Sequence, residues 1–116
     1  MAAKYQEIYQ RSIKDAKGFW AEVANDVFWY EKPTKILNSD NPPFYKWFQD
    51  GTTNTCYNAV DLHVKNGKGK KIAIIYDSPI TNPQKKITYA ELKDQVSIFA
   101  GALTSQGIKK GDRVII

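Results

Sequence analysis

The sequence predicts an α/β fold in which a helical N-terminal extension precedes the first strands and helix of a larger sheet-based domain. Three observations carry this. Ile72–Asp77 reads Ile-Ala-Ile-Ile-Tyr-Asp, a continuous β-favouring run behind a lysine-glycine turn. Thr88 and Glu91 stand at capping-box spacing ahead of Leu92, Val96, Phe99 and Leu103, whose steps of four, three and four make one helical stripe. Val114, Ile115 and Ile116 then open another apolar run. Strand, helix and parallel strand make half of a doubly wound unit, whose sheet is normally covered on both faces.

Along the chain, Tyr5, Ile8 and Tyr9 fall at helical spacing, and Asp15 is placed to cap a second helix bearing Phe19, Trp20, Val23, Ala24 and Val27. Across 29–43 the prolines 33, 42 and 43, with Asn38, Asp40 and Asn41, disfavour regular structure, so this stretch reads as an ordered wrapping segment tied down by Trp29, Tyr30, Ile36 and Leu37. The cluster Phe44, Tyr45, Trp47 and Phe48 ends in the turn signal Asp50-Gly51. Asn54 or Thr55 can cap a helix with Cys56, Ala59, Val60, His63 and Val64 on one face, stopped by a left-handed Gly67. Ile72–Asp77, lacking alternation, is expected to be buried on both faces. Residues 78–85, with Pro79, Asn82 and Pro83, read as a loop to a short strand at 86–88, and Gly107 ends the capped helix.

A chain of 116 residues with 42% hydrophobic and 13% aromatic content can build one small core, and its apolar groups are too many for general disorder. The net charge of +5 would suit an anion, but Arg11 and Arg113 are the only arginines. Lysine lacks the fork that reads bases and phosphates bidentately, and the lysines cluster where turns are expected. A solvated surface is preferred, with no nucleic-acid partner. Cys56 is the only cysteine, which excludes an intrachain disulfide and fits a reducing compartment. No run approaches the roughly 20 apolar residues of a membrane span, so no membrane partner is expected. Neither a signal-peptide core nor an arginine-rich transit pattern opens the chain.

Candidate sites each have a plain structural reading. Gly67-Lys68-Gly69-Lys70-Lys71 lacks the glycine spacing and the hydroxyl of a phosphate loop and leads into a strand. His63 beside Asp61 and Cys56 on a helix face have no evident catalytic partner, so both are read as structural. The aromatic cluster Trp29, Tyr30, Phe44, Tyr45, Trp47 and Phe48 could stack a nucleotide, but anchoring of an extension to a larger domain is preferred. No catalytic, cofactor-binding or metal-binding residue is assigned.

Taken in order, Trp47-Phe48-Gln49-Asp50-Gly51, the block from Asn54 through Ala59-Val60-Asp61-Leu62-His63, Ile72–Asp77 with Ser78-Pro79, Ile87-Thr88-Tyr89 with Glu91-Leu92, and Gly107-Ile108-Lys109-Lys110-Gly111-Asp112-Arg113-Val114 closely resemble the AMP-forming acetyl- and propionyl-CoA synthetases. The closest likeness is to the propionate-preferring branch, the short-chain family member 3 type included. The beginning, with Tyr5, Tyr9, Ser12, Phe19 and Trp20, resembles that family's N-terminal extension.

The resemblance implies an extension over 1–66 and, over 67–116, the start of an adenylate-forming domain, incomplete at a strand. It implies a parent ligase that uses ATP, Mg²⁺ and CoA to activate acetate or propionate. The family's Ser/Thr/Gly-rich loop, acyl pocket, hinge and C-terminal lysine match no position here, so the isolated chain is expected to be inactive. Its expected partners are the remainder of its own adenylate-forming domain and, when isolated, a second copy. The expected compartment is the cytoplasm, or alternatively the mitochondrial matrix. The rival reading is an autonomous basic and aromatic interaction module.

Overall fold

A computed structural model describes residues 2–80 and 84–115. The chain forms two compact units, Met1–Thr55 and Cys56–Ile116. Helices and small sheets alternate in it, which matches the expected mixture of both structure types.

In the first unit, helix α1 (Ala2–Lys14) ends on Arg11 and Lys14, where cations suit the helix dipole. Asp15 caps α2 (Ala16–Val23) as expected, its carboxylate accepting the Gly18 amide at 3.0 Å. Arg11 pairs with Glu22 across the two helices and lies 5.6 Å from the Phe19 ring centre. A 3₁₀ turn (Ala24–Asp26) follows, and Ala24 is buried at its start. From there the chain wraps with little regular structure: β1 (Leu37–Asn38) pairs antiparallel with β2 (Lys46–Trp47), and Glu31 bridges to Thr52.

In the second unit a helical stretch over 55–68 contains two π-helical segments, Tyr57–Asp61 and Val64–Lys68. Gly67 stops it at φ 77, the left-handed conformation its lack of a side chain permits. The widened turns shift the helical phase. Val60 is buried and His63 and Val64 half-buried, but Cys56 and Ala59, expected on the same face, are exposed.

Strands β3 (Ile72–Asp77) and β4 (Gln84–Thr88) form an antiparallel hairpin in which Ile75 faces Lys86 and Tyr76 faces Lys85. Helix α3 (Tyr89–Ser105) follows directly. It ends in a Schellman motif: the Ile108 amide donates to the Leu103 carbonyl at 3.2 Å and the Gly107 amide to Thr104 at 2.9 Å, with Gly107 at φ 86.

Three expectations are corrected. β3 is not buried on both faces: five of its six residues are exposed, Ile75 at 68%, because the described sheet here has two strands. The short strand expected at 86–88 is longer at its start: β4 begins at Gln84, so Gln84 and Lys85 belong to the strand and not to the loop, while Asn82 and Pro83 lie outside the described residues. Val114 and Ile115 are in no strand and Ile116 lies outside the described residues, so no parallel crossover forms among those described. The α3 stripe is half-buried at Leu92, Val96 and Leu103, whereas Phe99 is 62% exposed.

Candidate functional site

The first unit holds a pocket of about 300 Å³ lined by Trp20, Trp47 and Phe48. Helix α2 supplies Trp20 and strand β2 supplies Trp47, with their rings edge to face at 6.3 Å. Phe48 continues the cluster to Trp29 at 5.5 Å. The Trp29 indole N–H donates to the Ala24 carbonyl at 2.8 Å, satisfying its one polar group. Of the aromatics singled out from sequence, Phe44 and Tyr45 take no part and are 72% and 54% exposed. Trp20 joins from helix α2, nine residues before Trp29, and the sequence reading did not group it with these aromatics.

A polar clasp follows Phe48 in the chain. The Asp50 carboxylate accepts the amides of Thr34 at 3.0 Å and Lys35 at 3.1 Å, and also the Thr34 hydroxyl. The Thr34 hydroxyl first, then the two amides, hold its pKa down from the ordinary 3.8 to about 2. Phe48, two residues earlier, stands at φ 49, a conformation uncommon outside glycine. Its amide donates to Ile36 and its carbonyl accepts from Gly51, at 2.9 and 3.0 Å. Gly51 is required here because a Cβ would lie 2.8 Å from the Trp29 ring. Sequence reasoning took Asp50-Gly51 only as a turn signal. Both residues also lock the turn against segment 33–36.

In the second unit, the stretch that superficially suggested phosphate binding is committed to holding the chain together. The Lys71 amide donates to Lys68, and the carbonyls of Lys71 and Gly69 accept the Tyr89 and Ala90 amides at 3.0 Å. The Glu91 amide donates to the Thr88 hydroxyl at 3.3 Å, and the Glu91 carboxylate accepts the Thr88 amide at 2.8 Å, which together with the Thr88 hydroxyl holds the Glu91 carboxyl below its ordinary range. The amides that open α3, which could otherwise meet an anion, are therefore engaged.

The His63 ring packs at a tilt of 49° against Tyr89 with ring centres 4.8 Å apart, a packing role. Asp61 pairs with Lys93 at 3.8 Å, both near the surface. Cys56 is exposed and free. Among the described residues no group of three or more His, Cys, Asp or Glu could hold a metal ion, and no helix is long and apolar enough to cross a membrane. The described residues thus offer a packed aromatic pocket and filled helix caps. The amides that open α3 are not free to cradle a phosphate.

Two family models match the chain back to back: acetyl-coenzyme A synthetase N-terminus over residues 5–59 and AMP-binding enzyme over residues 62–116. Among curated proteins, human acyl-CoA synthetase short-chain family member 3, mitochondrial, is 48% identical over 114 residues, 98% of this chain. The acetyl-coenzyme A synthetase of Streptomyces coelicolor is 47% identical over 110 residues, 95% of this chain. The chain spans 17% of the length of each of these relatives.

Proposed function

The chain belongs to the AMP-binding, short-chain acyl-CoA synthetase family, and from that premise we propose that it is the N-terminal structural part of an acid–thiol ligase. That ligase joins a short carboxylate, acetate or propionate, to AMP with loss of pyrophosphate and passes the acyl group to the CoA thiol. The observation carrying this reading is the order of the two family matches, 5–59 and then 62–116, with both kinds of relative aligned through nearly the whole chain.

Within the enzyme this segment is scaffold. ATP, Mg²⁺ and CoA serve the parent through residues outside the sequence described, and the chain alone forms no acyl-adenylate. Residues 1–66 act as the extension and 67–116 begin the adenylate-forming domain. The exposed faces of β3 and of α3 at Ile98 and Phe99 meet the remainder of that domain, or a second copy when the chain is alone. The parent works in the cytoplasm; the name of the human relative supports the mitochondrial matrix as the alternative.

The test has two arms. Pyrophosphate release is measured for a full-length ligase carrying this segment across a series of short carboxylic acids. Calorimetry then follows ATP added to the isolated chain. Release with acetate or propionate, and no saturable ATP binding by the chain, is the expected pair. Silence on every acid would end the ligase reading, and micromolar ATP binding by the chain would end its scaffold role.

A further inference from the structure

Of the asparagines in the chain, Asn66 alone is followed by glycine. Proline follows Asn41 and Asn82, leaving no N–H on the next residue. Asn25 and Asn38 spend their side-chain amides on the Ala21 carbonyl at 3.3 Å and on Gln49 at 3.0 Å. Asn54 and Asn58 precede Thr55 and Ala59, whose Cβ atoms crowd the following nitrogen. Among the described residues no hydrogen bond holds the Asn66 side chain.

The backbone around Asn66 is open. Asn66 and Gly67 are both exposed, and the helix has ended there, with Asn66 at φ −83, ψ 19 and Gly67 at φ 77. Nothing lies within 4 Å of where a Cβ on Gly67 would stand, so the peptide plane between the two can turn toward the Asn66 side chain without meeting a neighbour. Asp50-Gly51 is the instructive contrast. There the Gly51 amide donates to Phe48 at 3.0 Å, a Cβ would meet the Trp29 ring, and the acid is an ionised carboxylate gripped by Thr34 and Lys35, a poor target for attack. Lys65 and Lys68 flank Asn66-Gly67, and positive charge nearby favours the anionic form of an ionising group.

We propose that Asn66-Gly67 is a self-modification site at which the asparagine deamidates to aspartate and isoaspartate. Hydroxide removes the Gly67 amide proton, and the nitrogen attacks the Asn66 side-chain carbonyl carbon. A bond from that nitrogen to Cγ forms, the bond from Cγ to the side-chain nitrogen breaks, and ammonia leaves with a proton from water. Water then opens the resulting succinimide at one of its two carbonyls. Opening at Cγ gives aspartate; opening at the main-chain carbonyl gives isoaspartate, whose backbone runs through the former side chain. No oxidant or reductant is needed, and water is the only co-reactant. Either product places an acid at the end of a helix, where the dipole disfavours it. Isoaspartate also adds a carbon to the chain just ahead of Gly69 and Lys71, whose carbonyls hold the Ala90 and Tyr89 amides. The ligase reading is not needed for it.

The 116-residue chain is incubated at mildly acidic and mildly alkaline pH, with a parallel sample in urea, and its chymotryptic peptides are followed by mass spectrometry. In the folded chain the peptide containing Asn66 should take the mass of aspartate in two chromatographic forms, faster at alkaline pH because the nucleophile is the deprotonated amide. An isoaspartyl methyltransferase should label one of the two forms. Gly67→Ala should slow conversion several-fold and Asn66→Gln should all but stop it, with circular dichroism checking that each variant keeps its helices. Conversion confined to the urea sample, or equal conversion at Asn54 or Asn58, overturns the proposal. So does an undiminished rate in the folded Asn66→Gln chain at this peptide, which would place the mass change on another residue.

Discussion

The two units are built by opposite means. In Met1–Thr55 the charges cancel, seven Lys and Arg against seven Asp and Glu, while Cys56–Ile116 has ten against five and so holds the whole net charge of +5. The first unit has two-residue strands and a long irregular path, and what fixes it is side-chain chemistry: Asp15 and Asp50 on backbone amides, the Trp29 indole on Ala24, and the Thr53 hydroxyl on the Phe28 carbonyl at 2.7 Å. The second unit is fixed by regular backbone pairing, a hairpin and a 17-residue helix capped at both ends. In the first unit carboxylates clasp irregular backbone, whereas in the second Glu91 and Asp112 close turns at the two ends of a regular frame.

The difference predicts its largest effect in assembly. The described β3 pairs with β4 on one edge, and Ile72, Ile74, Ile75 and Tyr76 are 41–68% exposed. A bare apolar edge invites a second strand. The isolated chain should therefore gain mass with concentration in light scattering, and Ile75→Lys, placing a charge on that strand, should reverse it. A compact monomer at every concentration would show that the hairpin is self-sufficient and that the second unit is as closed as the first.

Next in size is the aromatic clasp. Truncating Trp29→Ala removes the ring that Gly51 and Phe48 pack against, and the expected loss is about 3 kcal/mol, at the lower end for aromatic truncation because Trp29 is only half-buried. All three tryptophans lie in the first unit, so fluorescence of the remaining two reports it selectively in a urea titration. A midpoint equal to that of the unaltered chain would mean that the polar clasps alone hold this unit.

The helix cap of the second unit should matter less. Thr88→Ala removes the hydroxyl that accepts the Glu91 amide, at a cost of about 1 kcal/mol. Far-UV circular dichroism, dominated by helix, is the readout, and Thr88→Ser should recover most of the loss. An unchanged midpoint would show that the carbonyls of Gly69 and Lys71, which hold the next two amides, suffice without the box.

What could be read from the residues follows the same divide. Local rules located α2 by its Asp15 cap, α3 by Thr88 and Glu91, and the stops at Gly67 and Gly107, because each is decided within one turn of helix. Burial could not be read that way. The run Ile72–Asp77 lacks alternation and so suggested two covered faces, but covering depends on what else packs there, and the described hairpin leaves the run mostly open. The partners of Asp50 lie 15 and 16 residues away, across a stretch with no periodicity to signal the return. The π-helical widening shifted Cys56 and Ala59 outward, since an expected period of 3.6 residues no longer applied. The absence of assigned catalytic residues rested on motif comparison rather than on packing, and the family matches locate the chain at the beginning of the enzyme family's length.

The smallest effect sharpens the comparison most, because it isolates one carboxylate. Asp50 has its pKa lowered from 3.8 to about 2 by the Thr34 hydroxyl and by the amides of Thr34 and Lys35. A depressed folded-state pKa means that the unfolded chain takes up the proton first as acid is added. The clasp's contribution is therefore complete above 3.8, declines as the pH falls between the two values, and is gone near 2. Asp50→Asn keeps the shape but holds no charge, and one of its side-chain atoms becomes a donor facing donors. Tryptophan fluorescence should then show a urea midpoint that is lower at neutral pH and flatter across the acid window than in the unaltered chain. Glu91 is also held below its ordinary range, by the Thr88 amide and hydroxyl, but it lies in the unit without tryptophan, so its titration should appear in the helix signal instead. Identical acid profiles for Asp50→Asn and the unaltered chain would mean that the first unit owes its fold to the aromatic pocket and not to its carboxylates.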